Sequence, residues 1–294
     1  MVNGSLITNS GKKIILDRTY NVAPSYTAPT VFKIGISNGT PSTSSTDLDN
    51  PVAIIGTEAV DDCEAITGWV DSADMTVTTN TTTFKENATS ISLAKDAGSS
   101  ADFSTAKTTT SVDFTSKTLF VWLYLTDVTD LVATGTDAIT IRFGSDSSNY
   151  YQKGWDISEM AAGWNLLYFT SATADSTTGS PALTVMDYSF IQGTTDLAAD
   201  TIAADRIFMD DWKLASSDDF TKTFVSGYPS VDETNFEVEI RGLLASTDAN
   251  GYDINGFGLF NTDGTVLMHS EDTFTAESKS NTDQFTFIVK DRLI

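Results

Sequence analysis

Five carboxylates stand out as residues whose type and placement could do chemistry. Asp61, Asp62 and Glu64 lie together, and Asp210 and Asp211 adjoin each other much later in the chain. In an antiparallel sandwich the first and last strands commonly pair, which would bring the two groups together. Like charges about 4 Å apart repel by roughly 1 kcal/mol in water and more when partly buried, so such a meeting calls for a cation. Calcium takes six to eight oxygens from carboxylates and backbone carbonyls. A structural Ca2+ held by Asp61, Asp62, Glu64, Asp210 and Asp211 is therefore expected, with Asp96 as a further ligand. A solvated acidic edge without an ion is the alternative for the same residues.

A second chemistry is stacking. Tyr150, Tyr151 and Trp155 follow the polar run Asp146-Ser147-Ser148-Asn149 and flank Gly154. The stretch reads as a loop, and loops rich in Tyr, Asn, Ser and Gly make good recognition surfaces, because Tyr offers large contact area at low entropy cost. These three residues are the expected ligand-binding set. Trp69, Trp122 and Trp164 are read instead as packing residues.

Catalysis is not expected. The single histidine, His269, stands beside Ser270 near a turn, with nothing like a nucleophile elbow around it. The single cysteine, Cys63, has no histidine near it in sequence and excludes an intrachain disulfide. No glycine-rich phosphate loop and no zinc-ligand spacing occurs. Paired carboxylates for glycoside cleavage arise by chance among 40 acidic residues. Asn80-Thr81-Thr82 and Asn87-Ala88-Thr89 match the glycosylation pattern but are discounted, because the polar Met1–Ser10 lacks the apolar segment of a secretory signal. The protein is accordingly expected to be made in a cytoplasm and kept there or released by lysis.

The elements that must position these residues are strands. Charged residues make up 19% of the chain and hydrophobic residues 40%, with abundant Thr, Val, Ile, Phe and Tyr, a mixture of β-strands and polar turns. The net charge of −23 repels nucleic acid and anionic lipid, and no apolar run is long enough to span a membrane. Neither nucleic acid nor membrane insertion is expected.

Three stretches differ in style. In 1–57, Asn9-Ser10-Gly11 offers a cap for a short helix through Ile14–Arg18, and Pro24 and Pro29 end it. Val31–Ile36 alternates as a strand, and Val52, Ile54 and Ile55 predict a second. In 58–215, strands are predicted at Thr76–Thr79, Ser90–Leu93, Leu119–Leu125, Ala138–Phe143, Trp164–Thr170, Met186–Ile191 and Arg206–Leu214, the even spacing of a sandwich or jelly roll. Both faces of Leu119–Leu125 are apolar, so it is buried on both sides or shows an aromatic platform on one. In 216–294, strands are predicted at Phe236–Ile240, Phe257–Phe260 and Gln284–Lys290, with a hairpin from Phe260 through Asn261-Thr262-Asp263-Gly264 to Val266-Leu267-Met268.

Two resemblances follow from particular motifs. Thr8–Arg18, Phe32-Lys33-Ile34-Gly35, Thr40-Pro41 and Asp47-Leu48-Asp49 resemble the opening of bacteriophage tail-collar and tail-fibre proteins. Asn255–Asn261 and Phe287–Arg292 resemble the closing half of that module. The middle resembles carbohydrate-binding modules of the β-jelly-roll type through Asp61-Asp62-Cys63-Glu64, Gly68-Trp69, Glu86–Leu93, Gly163-Trp164-Asn165 and Ile207–Trp212; Asn87 departs from the glycine usual there. Modules of that type often hold a structural calcium. Together the resemblances imply a mostly β chain, a jelly roll at 58–215 inserted into a small mixed, mainly β scaffold of 1–57 and 216–294. They imply a non-catalytic virion structural protein of tail, baseplate or fibre base. Its expected partners are other virion proteins, copies of itself and a host-surface polysaccharide. A capsid decoration protein or head fibre, and a free polysaccharide-binding module, are the alternatives.

Overall fold

The computed structural model describes residues 6–36, 38–55, 57–262 and 267–292. The chain divides into two compact units, a split unit of Met1–Gly56 with Ser217–Ile294 and a continuous unit of Thr57–Ser216. The first arm of the split unit holds β1 (Leu6–Ile7), α1 (Asn9–Tyr20), β2 (Val31–Ile36) and β3 (Pro51–Val52). The continuous unit holds β4 (Glu58–Asp61), β5 (Trp69–Asp71), β6 (Met75–Asn80), β7 (Ser90–Lys95), β8 (Asp102–Val112), β9 (Lys117–Leu125), β10 (Ile139–Asp146), β11 (Asn149–Trp155), β12 (Gly163–Thr170), β13 (Ser176–Thr178), β14 (Met186–Thr194) and β15 (Ile207–Ser216). The second arm holds β16 (Lys222–Thr223), β17 (Ser230–Asp232), β18 (Glu237–Leu244), β19 (Asp253–Phe260), β20 (Met268–Ser278) and β21 (Phe285–Arg292). The fold is mostly β.

In the split unit β2 lies between β19 and β16, in a sheet of order β1-β20-β19-β2-β16 with β3 also on β2. A second sheet runs β17-β18-β21. The ring of Phe287 stacks on Phe257 at 4.6 Å between centroids, and Phe32 lies 5.4 Å from Phe257, so residues from both arms share one core. Thr8, rather than the expected Asn9–Gly11 run, caps α1: its Oγ1 accepts from the Gly11 N–H at 3.0 Å. Gly11 is required, because a Cβ there would collide with the His269 carbonyl of β20. The strand predicted through Ile54 and Ile55 stops at Val52; the Ile54 and Ile55 N–H groups both donate to the Asp219 carbonyl instead. The strand predicted from Phe236 begins at Glu237, since Phe236 adopts φ +54. The predicted turn at Asp263-Gly264 and Val266 lie outside the described residues.

The continuous unit is a two-sheet sandwich. One sheet runs β13-β11-β10-β14-β8-β5, the other β12-β9-β15-β7-β6 with β4 also on β15. Successive side chains on a strand point to opposite faces, and the core selects one parity on each. Leu119, Val121, Leu123 and Leu125 of β9 face inward, as do Ile139, Ile141 and Phe143 of β10 and Ile191 of β14. Phe114 fills the space between, its ring centroid 5.2 Å from that of Phe143 and 6.2 Å from that of Phe169 in edge-on contacts. The outward residues of β9 are also aromatic. Phe120 and Trp122 are buried there, next to Tyr168, Trp164 and the Lys85 ammonium 4.6 Å above the Trp122 ring. That layer accounts for the two apolar faces of Leu119–Leu125.

The stretch read as a polar loop is a strand. Residues 147 and 148 form a tight turn, and β11 pairs with β10 from Asn149 to Trp155. The Asp146 carboxylate ties the turn by accepting from Ser148 N at 2.7 Å and from the Asn149 amide. The run Tyr150-Tyr151 hides the alternation, because rings occupy both faces.

Candidate functional site

Strand pairing places Asp61 beside the bulge that holds Asp210 and Asp211. β4 pairs with β15, with Asp61 opposite Trp212. The register of β15 on β9 shifts between Asp210 and Lys213, and Asp211 adopts φ +49, the two-against-one geometry of a β-bulge. Each carboxylate there already has a partner inside the protein. Asp61 meets the Lys107 ammonium at 2.5 Å and accepts from Cys63 N at 2.9 Å. Asp211 pairs with Lys213, which also meets Glu86 at 2.6 Å. Glu64 accepts from Ala88 N and Thr89 N at 3.1 and 3.0 Å. Asp210 Oδ2 accepts from Lys85 N and Glu86 N at 2.7 and 3.0 Å. Asp62 is exposed and accepts from Glu64 N. Asp96, the expected further ligand, is exposed beside Lys95.

As placed, these acids do not fit a calcium shell. Six backbone N–H groups and two ammonium groups occupy directions that calcium would need free. Among the described residues no group of three or more acidic, histidine or cysteine side chains could hold a metal ion. Asp210 Oδ1 is buried without a hydrogen-bond partner, and burial of the charged form pushes the Asp210 carboxyl up to about 7. Burial and the nearby Glu86 push Asp211 up to about 8, against the lowering influence of Lys213. The Cys63 thiol is wholly buried and pushed up by burial and by Asp61, Asp210 and Asp211, so it is no nucleophile.

The outward face of the other sheet has a different character. Its registers place side chains in rows that cross the strands. One row runs Thr178, Tyr150, Gly144, Tyr188, Thr108, and the next runs Ser176, Gln152, Arg142, Phe190, Ala106. A third sets Thr140 beside Gln192. These positions have the parity opposite to the core residues of β10 and β14 and face away from the sandwich interior.

Arg142 lies at the centre. Its guanidinium carbon is 4.8 Å from the Tyr150 ring centroid and 4.4 Å from that of Phe190, and its Nε donates to Gln152 Oε1 at 2.8 Å. Cation–π contact on two sides and the amide acceptor hold one guanidinium orientation. Phe190 and Tyr188 stack with 23° between ring planes, and half-burial raises the Tyr188 hydroxyl pKa. Gly144 separates the two tyrosines; a Cβ there would meet Tyr150 Cβ at 2.6 Å, so the glycine leaves a trough between rings. The result is a face with amide and guanidinium groups among rings, of which Tyr150 and Tyr188 are partly exposed and Phe190 is buried.

Of the three residues expected to bind ligand, only Tyr150 belongs to this face. Tyr151 packs on the core side, 6.2 Å from the Phe114 ring, and Trp155 is a core residue 6.3 Å from Phe169. Trp69 is buried against Trp212 at 5.9 Å. Arg142, Gln152, Tyr188, Phe190 and Gln192 were not singled out by sequence. Their signal is the two-residue period of Tyr188, Phe190 and Gln192 in β14, which puts two rings and an amide opposite the buried Ser189 and Ile191. His269 and Ser270 are consecutive in β20 at a register shift against β19, and both are buried.

No protein-family model and no curated protein matches the chain. Solved structures do. A family 11 carbohydrate-binding module from Clostridium thermocellum, in complex with a β-1,3-1,4-mixed-linked tetrasaccharide, is similar at 10% identity and a TM-score of 0.39, over 55% of this chain and 96% of that one. The xylan-binding domain of family 22 is similar at 12% identity and a TM-score of 0.28, over 54% and 94%. An exo-β-agarase is similar at 10% identity and a TM-score of 0.37, over 57% of this chain and 26% of its own.

Proposed function

We propose that the continuous unit is a carbohydrate-binding module that holds a polysaccharide across the outward face of β11, β10 and β14. The observation that carries the reading is the row Gln152, Arg142, Phe190 beside the row Tyr150, Gly144, Tyr188. Sugar rings present C–H faces that stack on aromatic rings and hydroxyl edges that hydrogen-bond amides and guanidinium, and this face supplies both in alternation. The three strands space these residues across roughly 10 Å, at about 4.8 Å per strand, which suits an extended ligand lying crosswise. Arg142, Tyr150, Gln152, Tyr188, Phe190 and Gln192 include no carboxyl group, so these six residues can bind a glycan without supplying a general acid for its cleavage. The similar solved structures include modules that bind a mixed-linked tetrasaccharide and xylan, which supports a polysaccharide as the ligand class.

The finer reading is a bacteriophage virion protein of tail, baseplate or fibre base. In it the split unit attaches to other virion proteins or to copies of itself, and the continuous unit meets host-surface polysaccharide. Its support is the set of tail-fibre-like motifs at the two ends of the chain and the gathering of both ends into one unit. Retardation of the purified chain in gels containing neutral polysaccharides tests the binding reading, and mass spectrometry of purified particles tests the virion reading. Migration unaffected by every polysaccharide contradicts the first, and absence of the chain from particles contradicts the second.

A further inference from the structure

Where the glycan-binding face meets β8, the sheet opens into a cleft. β5 covers the far side of β8 only from Thr105 to Lys107. Beyond Lys107 the register of β8 on β14 shifts between Met186 and Tyr188, so the strand bulges over Thr109–Ser111. Bulges re-aim side chains at sheet edges, and here one borders a cavity of about 510 Å³ between β8 and the segment Ala59–Asp62. Thr108 belongs to both places. It lines the cavity and is also the register partner of Tyr188. A ligand lying along the row Tyr150, Gly144, Tyr188 therefore runs over Thr108 into the cleft.

The cleft's own chemistry limits what it takes. The Lys107 ammonium is engaged by Asp61 at 2.5 Å and lies 5.8 Å from the Trp69 ring centroid. The Thr109 hydroxyl donates to the Asp187 carbonyl at 3.2 Å. That leaves the exposed hydroxyls of Thr108 and Thr110 and the exposed carboxylate of Asp62. Hydroxyls give and accept hydrogen bonds, and a carboxylate accepts strongly from O–H donors. A second carboxylate or a sulfate brought beside Asp62 meets like-charge repulsion, and the chain's net charge of −23 adds to it.

We infer that this cleft is an end subsite of the glycan-binding face, taking an uncharged, hydroxyl-rich sugar residue and rejecting uronate and sulfated sugars. The inference rests on the reading of the β11–β10–β14 face as the glycan platform. It adds a polar end, with no ring in it, that sets the length and charge preference.

The test is calorimetry on the full chain, with a ladder of oligosaccharides cut from a neutral polysaccharide that retards it. Thr108→Val, Thr110→Val and Asp62→Asn are compared with the parent, with melting curves run alongside. Asn at 62 keeps an oxygen for the Glu64 N–H that Asp62 now accepts. The parent is expected to gain affinity with length beyond what the platform holds. Asp62→Asn combined with Thr108→Val should lose about tenfold on the long oligosaccharides, which is about 1.4 kcal/mol, and nothing on the short ones. An oligosaccharide of equal length carrying a terminal uronate should bind the parent more weakly, and Asp62→Asn should narrow the gap. Equal losses on short and long ligands, no loss on either, or equal parent affinity for neutral and uronate ends overturn the subsite while leaving the platform standing. Retardation by no polysaccharide overturns platform and subsite together.

Discussion

Asp210 keeps one carboxylate oxygen on two backbone N–H groups and the other on nothing, while Asp211 shares Lys213 with Glu86. The protein answers its concentrated negative charge with its own ammonium groups. Lys107 and Lys213 meet two of the acids, and elsewhere the buried Lys95 ammonium donates to the carbonyls of Asp96, Ala198 and Asp200 at 3.2, 2.9 and 2.9 Å. Calcium or a chelator is therefore expected to leave the thermal melt unchanged, whereas a bound ion would raise it by mass action. A calcium-dependent rise abolished by Asp210→Ala contradicts the lysine-neutralised arrangement. A pH dependence is expected in its place. The folded carboxyl pKa values of about 7 and about 8 lie above the unfolded value. The folded state therefore holds protons that the unfolded state has released, and the stability this gives is lost as pH rises through the folded values. The melting temperature should fall from about pH 5 to about pH 8, and Asp210→Asn with Asp211→Asn should flatten the fall. A melt that rises over this range contradicts the assignment. The pairing of the strands that carry Asp61, Asp210 and Asp211 was legible in sequence, because first and last strands of a sandwich commonly pair. Their lysine partners were not, because Lys107 and Lys213 reach Asp61 and Asp211 only through registers and a bulge.

The hairpin of β10 and β11 shows how an element turns sequence into a site. Ile139, Ile141 and Phe143 against Thr140, Arg142 and Gly144 is clean alternation, and the predicted strand Ala138–Phe143 found it. In β11 the run Tyr150-Tyr151 breaks the contrast between faces, so the sequence pattern there is that of a loop and does not separate core from surface residues. The registers separate them, and substitution should too. Trp155→Ala removes a buried indole from the core and should cost about 3–5 kcal/mol. Tyr150→Ala, on the solvent face, should cost well under half of that in a denaturant melt and should weaken glycan binding. Equal destabilisation by the two would mean that the hairpin does not divide them between core and surface. The helix cap is ambiguous in sequence for a related reason: Asn9, Ser10 and Thr8 are all capping residues by type, and only packing of Gly11 on the β20 backbone selects Thr8.

For the whole molecule, each unit has its own core, one built on Phe32, Phe257 and Phe287 and the other on the sandwich interior around Phe114. A fragment spanning Thr57–Ser216 is therefore expected to melt cooperatively by itself; a broad, non-cooperative transition contradicts that. The mostly β class was legible from composition and strand spacing, while the glycan-facing surface was not, since five of its six residues acquire meaning only when three strands lie side by side. The measurement that tests the central claim most directly is affinity electrophoresis of the full chain against neutral polysaccharides. Parent, Tyr188→Ala, Arg142→Ala and the exposed Tyr20→Ala of the split unit are run in one gel. The polysaccharide face predicts retardation of the parent and of Tyr20→Ala, and its loss in Tyr188→Ala and Arg142→Ala with melting temperatures close to the parent's. Undiminished retardation of both face variants, or no retardation of the parent, would contradict it.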